Sequence, residues 1–516
     1  MTMQRIFALA VFWPSLAFGD ANSLGKAQHV VVVVWDGMRP DFVNEHDTPA
    51  LWKLARGGVT FRHHHSVYLS ATEVNGAAIA TGCYPSHTGL FANYIFRPEI
   101  DPSKMIDAGN PPIVRKGDQI TGKYLARPTV AELLHRAGKH TAIAGTKWVT
   151  LLHDRRTGDE NDAVRKSFVL FQGATLPNES IKVFEKALGP SPNLNDPRAD
   201  DWTTKALTDV MWKETVPEYS LLWLHEPDFT EHKTAPGSPP SLDAIRSADK
   251  HLAEVLDALK KKGVSDKTDI FVVSDHGFST IERSIDLVSQ LNRAGFHAVT
   301  EFNSQSKNGD IMVVGNGGSV LFYIAGHDAE VVQRLVEWLE QTDFAGVIFS
   351  REKIEGAFGF AAAQIDTPND PDVMMAFRWN EQKNRFGVPG MINADWNRHA
   401  GEGTHATLSD FDMHNTLIVA GPDFRREIND DLPTGNIDIA PTVLHVLGIS
   451  ASEKFDGRIL TEAMTDKRPV ATNETIEATR DFPTGRWQQY LRTSHVGPTT
   501  YLDEGNGGFT AKTPTQ

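Results

Sequence analysis

The 516-residue sequence predicts an α/β sandwich, with a mostly parallel central sheet, helices on both faces and an inserted cap. Three observations predict it. Short, wholly apolar, β-branched runs recur along the chain, and helical patterns separate them. A block between 296 and 400 breaks that rhythm. Strands that alternate with helices form parallel sheets covered on both faces, and such strands read as continuous hydrophobic runs.

In chain order, the first such run is His29–Val34 (HVVVVV), too short for a helix. Tyr219–Leu224 (YSLLWL), Asp269–Val273 (DIFVV), Thr416–Ala420 (TLIVA) and Thr141–Ala144 (TAIA) have the same pattern. Helical patterns cover Pro49–Gly57, Glu73–Ala80, Pro128–Ala137, Leu242–Lys260 and Ile439–Leu447. Pro128 suits a first helical turn, and Thr129 with Glu132 forms a capping signal. Residues 94–127, rich in Pro, Gly, Asp and Lys, read as loop. Within 296–400 the strands are Ile311–Val314, Ser319–Ile324 and Val373–Trp379, around the helix Ala329–Leu339. The tail from Asp481 reads as surface loop or edge strand.

These readings divide the chain into five parts. A signal peptide covers 1–21 and the first part of the catalytic core 22–295. The cap covers 296–400, the second part of the core 401–480, and the tail 481–516. The leader rests on Arg5, the apolar run Ile6–Phe18, and the small residues Ala17, Gly19 and Ala21. That run is too short to span a bilayer, so the expectation is a secreted or periplasmic protein with no stable membrane span. A net charge of -15 excludes non-specific binding to a nucleic-acid duplex, which needs a basic surface. Cys83 is the single cysteine, so the chain forms no internal disulfide.

Ligands of parallel α/β sheets bind beyond the carboxyl ends of the strands. After the first run comes Trp35-Asp36-Gly37, and after YSLLWL come Asp228 and His232. After DIFVV comes Ser274-Asp275-His276-Gly277, and Gly403-Thr404-His405 lies ahead of TLIVA. Singly these have bland readings: Asp-Gly is a common turn, and Asp228 serves as well for a helix cap. Together they place three carboxylates and three imidazoles at one sheet edge. That is enough for two zinc-like sites with three protein ligands each. Thr72 opens a small-residue helix, where free N–H groups favour an anion, and Asn75 lies one turn on. A threonine there is most often an N-cap, but a nearby divalent cation would favour its alkoxide. Lys147 comes after the strand Thr141–Ala144 and reads equally as a contact to a phosphoryl oxygen or as a solvated surface lysine.

The chain resembles the type I phosphodiesterase/nucleotide pyrophosphatase family of the alkaline phosphatase superfamily. The resemblance runs through Asp36-Gly37, Thr72-x-x-Asn75, Thr81-Gly82-x-Tyr84-Pro85, Pro227-Asp228-x-x-x-His232, Ser274-Asp275-His276-Gly277 and Gly403-Thr404-His405. It implies the alkaline-phosphatase-like fold and two divalent metal ions, zinc by preference. One would be held by Asp228, His232 and His405, the other by Asp36, Asp275 and His276. It further implies that Thr72 touches the metals and is the nucleophile, and that Asn75 binds phosphate. The reaction it implies is double displacement on a small phosphorylated substrate: Thr72 attacks phosphorus in line, and water hydrolyses the phosphothreonine from the vacated side. Phosphodiester or pyrophosphate hydrolysis leads. Lys147, where threonine-type phosphatases and phosphonate hydrolases also carry a lysine, keeps a phosphomonoesterase or phosphonate hydrolase open. A non-catalytic metal- or phosphate-binding relative is the remaining alternative.

Two features read as decoys. Cys83-Tyr84-Pro85-Ser86-His87 looks like a sulfatase signature, but Thr81-Gly82 precedes the cysteine and His87 stands where that signature wants arginine. Cys83 therefore reads as packing. His63-His64-His65 alternate faces in an extended segment and cannot easily share one ion, so they read as loop lining.

Overall fold

The structure is a computed structural model that describes residues 25–155 and 166–512. The leader Ile6–Phe18 lies outside the described residues. The central sheet comprises β1 (His29–Trp35), β2 (Val59–His65), β3 (Thr141–Gly145), β4 (Phe168–Phe171), β5 (Ala174–Leu176), β6 (Tyr219–Leu224), β7 (Thr268–Val273), β8 (Leu417–Ala420) and β9 (Ile428–Gly435). Its order is β9-β2-β8-β7-β1-β6-β3-β4-β5. Neighbours from β7 through β4 pair in parallel, as do β2 and β9, while β8 and β5 run antiparallel to their neighbours.

Both faces of β1 are buried, which is why its sequence does not alternate. Val30, Val32 and Val34 join one apolar core, and Val31, Val33 and Trp35 join another. The helices that matter to the cores and the site are α1 (Pro49–Gly57), α2 (Thr72–Thr81), α3 (Pro111–Thr121), α4 (Val130–Arg136), α5 (Asp228–Thr234), α6 (Pro239–Lys261), α7 (Ala329–Leu339) and α8 (Ile439–Val446). Val74 and Ala77 of α2, Leu134 of α4 and Val443 of α8 enter the first core, whereas Leu51 of α1 and Ile245 and Leu252 of α6 enter the second. Helix α4 starts one residue after Thr129, whose hydroxyl accepts the Glu132 amide at 3.2 Å while Glu132 takes the Thr129 amide at 3.0 Å. Thr129→Ala should therefore cost about 1 kcal/mol, read as a lower denaturant midpoint with unchanged slope.

The stretch 94–127, expected as loop, contains α3 and the short strands Tyr94–Ile95 and Ile106–Asp107. Prolines 111 and 112 read as breakers in the sequence, but they occupy the first helical turn, where no amide is needed. Val373–Trp379 is two strands, Val373–Phe377 and Trp379–Lys383, in different sheets. The first belongs to a five-stranded sheet under α7, with Ala298–Val299, Ile311–Gly315, Ser319–Ile324 and Ala345–Ser350. The second pairs into a four-stranded sheet with Pro389–Asp395, Ser279–Ile285 and Gly403–Thr404, which carries the chain back to the central sheet. The tail differs most. Ala471–Phe482, Gly485–Val496 and Thr499–Ala511 form a long antiparallel meander. Its Trp487 is buried in the core under α7, and its Leu491 and Tyr501 in the first core. Among the described residues no helix is long and apolar enough to cross a membrane.

Candidate active site

The six expected ligands meet at the carboxyl edge of the central sheet. Asp36 comes directly after β1, Asp275 and His276 after β7, and Asp228 is the first residue of α5, just beyond β6. His232 lies one turn along α5. His405 reaches the same edge because β8 is antiparallel, so the segment ahead of that strand lies where the parallel strands end. Gly37 has φ of 74°, a left-handed turn that lets the chain leave β1 beneath Asp228. At Gly277 a Cβ would fall 2.0 Å from the Phe411 carbonyl oxygen, so only glycine passes here.

The donors form two groups, Asp228/His232/His405 and Asp36/Asp275/His276, within each of which the candidate atoms lie inside 4.8 Å of one another. The groups touch: the rings of His276 and His405 stack with centroids 3.7 Å apart. Each imidazole has its Nδ1 against a backbone carbonyl: His232 on Gly403 (3.0 Å), His276 on Gly277 (2.8 Å) and His405 on Ser70 (2.8 Å). A carbonyl only accepts, so Nδ1 carries the proton and Nε2 turns its lone pair into the group. The carboxylates divide the same way. Trp223 Nε1 donates to Asp36 Oδ2 at 2.8 Å, the Gly37 amide donates to Asp275 Oδ1 at 3.0 Å, and Lys147 donates to Asp228 Oδ2 at 2.6 Å. The opposite oxygens, Asp36 Oδ1, Asp275 Oδ2 and Asp228 Oδ1, are buried without a hydrogen-bond partner among the described residues. Orphaned carboxylate oxygens that face imidazole lone pairs fit a cation, because without one the group leaves buried charge unpaired. The donor set of nitrogen and oxygen suits zinc.

Electrostatics reflect that burial. Asp36 is pushed up to about 8 by burial and by Asp275, and Asp275 is pushed up to about 7 by burial. Burial also pushes Asp228 upward, but His232, Lys147 and His405 outweigh it and hold it well below the usual carboxylate range. Burial lowers His232, and burial with His276 and His232 holds His405 well below the ordinary imidazole value. Above pH 7 His232 and His405 are neutral folded and unfolded, so the slope there belongs to the carboxyls that burial pushes up to about 8: Asp36, and with it Glu73, Glu231, Asp269 and Glu340. The folded value of Asp36 lies above its unfolded one, so the folded chain holds a proton that the unfolded chain has lost, and stability falls as pH rises toward and through about 8. Chelated protein should therefore show an unfolding midpoint that falls from about pH 7 to 8 and levels off above, and Asp36→Asn should remove one group's share of that fall; an unchanged slope in the variant contradicts the assignment.

Thr72 is the first residue of α2 and 4% exposed, with its hydroxyl 3.2 Å from His276 Nε2. Asn75 does not face the site as expected. Its Nδ2 donates to the carbonyls of Val67 (3.1 Å), Leu69 (3.2 Å) and Ala71 (3.1 Å), and its Oδ1 accepts the Val67 amide at 2.8 Å. It staples the loop that delivers Thr72, so its amide has no proton left for a phosphoryl oxygen. The amide that stands ready is Asn93: its Oδ1 accepts the Glu73 amide at 3.0 Å, beside Thr72, and its Nδ2 donates to nothing among the described residues. Nothing local in the sequence marks Asn93, which sits in a loop without periodicity. Asn436 is equally hidden; it donates to Asn75 Oδ1 at 3.0 Å and to the Asp275 carbonyl at 2.7 Å.

Lys147 does reach the active edge, but it lies between carboxylates, 2.6 Å from Asp228 Oδ2 and 2.9 Å from Asp36 Oδ2. Cys83 is buried, with its thiol pushed up to about 11 by burial, consistent with packing. The histidine triple ends strand β2 rather than lining a loop. His64 is buried between Thr434 and Asn436, and His65 pairs with Asp503 at 3.0 Å on the opposite face.

Known proteins share this architecture. Murine ectonucleotide pyrophosphatase/phosphodiesterase 5, solved as an inactive threonine-to-alanine form with AMP, superposes with a TM-score of 0.61 at 16% identity, over 85% of this chain and 100% of that one. The human counterpart gives 0.60 at 18%, over 85% and 99%. The fold is thus the alkaline-phosphatase-like α/β sandwich. Human ectonucleotide pyrophosphatase/phosphodiesterase family member 7 is 21% identical over 459 residues, 88% of this chain and 87% of that protein. Mouse bis(5'-adenosyl)-triphosphatase is 21% identical over 315 residues, 58% of each. The profile of one family matches residues 30–391, and with it the chain belongs to the type I phosphodiesterase/nucleotide pyrophosphatase family.

Proposed function

We propose that the protein is a secreted or periplasmic two-metal hydrolase of phosphodiester or pyrophosphate bonds that works through a phosphothreonine on Thr72. The observation that carries this reading is the convergence of three orphaned carboxylate oxygens and three imidazole Nε2 atoms beside one threonine hydroxyl. Two divalent ions, zinc in this reading, would be held by Asp228/His232/His405 and Asp36/Asp275/His276 and would supply Lewis acidity and neutralise phosphate charge.

Thr72 supplies the attacking oxygen. Seated at the start of α2, it brings the phosphoryl group to the positive end of the helix dipole. Asn93 Nδ2 donates to an equatorial oxygen. The Nδ1–carbonyl bonds of the three histidines fix each ring with its Nε2 directed into the site, so little reorganisation accompanies the reaction. The P–O bond to the leaving group breaks as the Thr72 oxygen–phosphorus bond forms. Water entering from the vacated side then cleaves that bond, returning the hydroxyl to Thr72.

Two likenesses support the substrate class. The murine relative binds AMP and is inactive when its threonine is replaced by alanine, and another relative is a bis(5'-adenosyl)-triphosphatase. A monoester, with its extra charge, asks for a free cationic donor; Lys147 is committed to Asp36 and Asp228 and does not provide one. Export rests on the leader at Arg5 and Ile6–Phe18.

Bis-p-nitrophenyl phosphate and p-nitrophenyl phosphate, assayed with and without chelator, test the proposal. Diester hydrolysis should exceed monoester hydrolysis by more than about tenfold in kcat/KM, a difference of ~1.4 kcal/mol. It should vanish on chelation and return with zinc. Monoester preference would indicate a phosphatase, and no turnover despite bound zinc would indicate a non-catalytic relative.

A further inference from the structure

We propose that Lys147 is a positioning residue for the ion pair rather than a substrate contact: its ammonium ties one ligand of each group through the carboxylate oxygens that the ions leave free. The inference rests on the two-ion reading and assigns Lys147 its part within it.

The geometry distinguishes two kinds of oxygen. Lys147 Nζ binds Asp228 Oδ2 at 2.6 Å and Asp36 Oδ2 at 2.9 Å. The Oδ1 atoms of the same two residues are the orphaned ones: Asp228 Oδ1 lies 3.2 Å from His232 Nε2 and 3.5 Å from His405 Nε2, and Asp36 Oδ1 lies 3.6 Å from His276 Nε2. The lysine and two ions therefore use different atoms, and all three cations fit together. The side chain is only 17% exposed, and its backbone is fixed on both sides. Thr146 Oγ1 donates to Asp200 at 2.6 Å, the Thr146 amide to Trp223 O at 3.0 Å, and Thr150 Oγ1 to Lys147 O at 2.8 Å. An ammonium so placed orients ligands, as outer partners of metal-bound carboxylates do.

The support is unequal. Without Lys147, Asp36 Oδ2 keeps Trp223 Nε1 at 2.8 Å, and Asp275 Oδ1 keeps the Gly37 amide at 3.0 Å. Asp228 Oδ2 keeps no other side-chain donor among the described residues. Loss of the lysine should therefore weaken the Asp228/His232/His405 ion selectively. Pure charge bookkeeping gives the opposite sign, since removing a cation from a carboxylate-rich site tightens zinc, so the measurement separates orientation from screening.

The experiment is zinc binding by competition with a chromophoric chelator, for the full chain and its Lys147→Met and Lys147→Gln variants. All are made in a His251→Ala background, because Asp201, His251 and Glu254 form a further group with donors inside 4.8 Å, its histidine buried and its carboxylates half-buried. The parent should take up two zinc ions. Lys147→Met should keep one at parental affinity and bind the other about 10- to 100-fold more weakly, with Lys147→Gln between, since its amide still donates to one carboxylate. Unchanged or tighter zinc in both variants, with only KM altered, overturns the proposal and returns Lys147 to the substrate. A parent that binds no zinc refutes the two-ion reading itself, an outcome distinct from either. Should the Met variant fail to fold, the Gln variant decides alone by the same criterion.

Discussion

Replacing Thr72 by alanine is expected to lower turnover of bis-p-nitrophenyl phosphate by at least about 10³-fold, the scale on which loss of a covalent nucleophile is felt, while leaving zinc content at the wild-type level. The separation of the two readouts comes from the geometry. Among the described residues the Thr72 hydroxyl has one hydrogen bond to a side chain, His276 Nε2 at 3.2 Å, so its removal costs the fold no more than about 1 kcal/mol. All six side chains of the two candidate groups remain, each still oriented by its own partner. Elemental analysis beside a turnover assay checks the expectation. Activity within a few-fold of wild type would remove Thr72 from its role, and a parallel loss of zinc would make it structural.

Asp228→Asn is expected to have the second largest effect, and through the ions rather than the nucleophile. The substitution keeps the shape of the side chain but replaces a carboxylate with a neutral amide in the one group that has a single carboxylate. It also leaves Lys147, whose shortest contact is Asp228 Oδ2 at 2.6 Å, with a neutral amide in place of one of its two anionic partners. Loss of a mere outer partner of a metal ligand costs about 10- to 100-fold in affinity, so loss of the ligand's charge should exceed that. Zinc should fall from two equivalents to one, and turnover should fall with it. Two equivalents retained at unchanged affinity would show that Asp228 is not a ligand.

Much of this site is legible in the sequence because strand ends are a strong positional rule. Once HVVVVV, YSLLWL and DIFVV read as buried parallel strands, Asp36, Asp228 and Asp275 have to share an edge. His405 is legible for a different reason, its place ahead of an apolar run that proves antiparallel. Interactions that depend on side-chain direction escape. Asn75 and Asn93 both lie near Thr72, yet only the fold reveals that backbone carbonyls use up one amide and that the other has no acceptor among the described residues. Lys147 reads at the correct edge, but whether it faces solvent, substrate or ligands depends on its rotamer. The C-terminal meander is hidden because polar residues such as Gln489 and Ser494 occupy buried positions of its strands; Trp487 and Leu491 are its clearest inward anchors. Helix α3 is hidden by two prolines at its start that look disruptive out of context.

Anomalous diffraction at the zinc edge, from crystals of protein reconstituted with zinc, is the decisive measurement for the two-ion site. Two peaks are expected, one among Asp228, His232 and His405 and one among Asp36, Asp275 and His276, with the Thr72 hydroxyl beside them. Reconstituted crystals without a peak at either cluster would refute it.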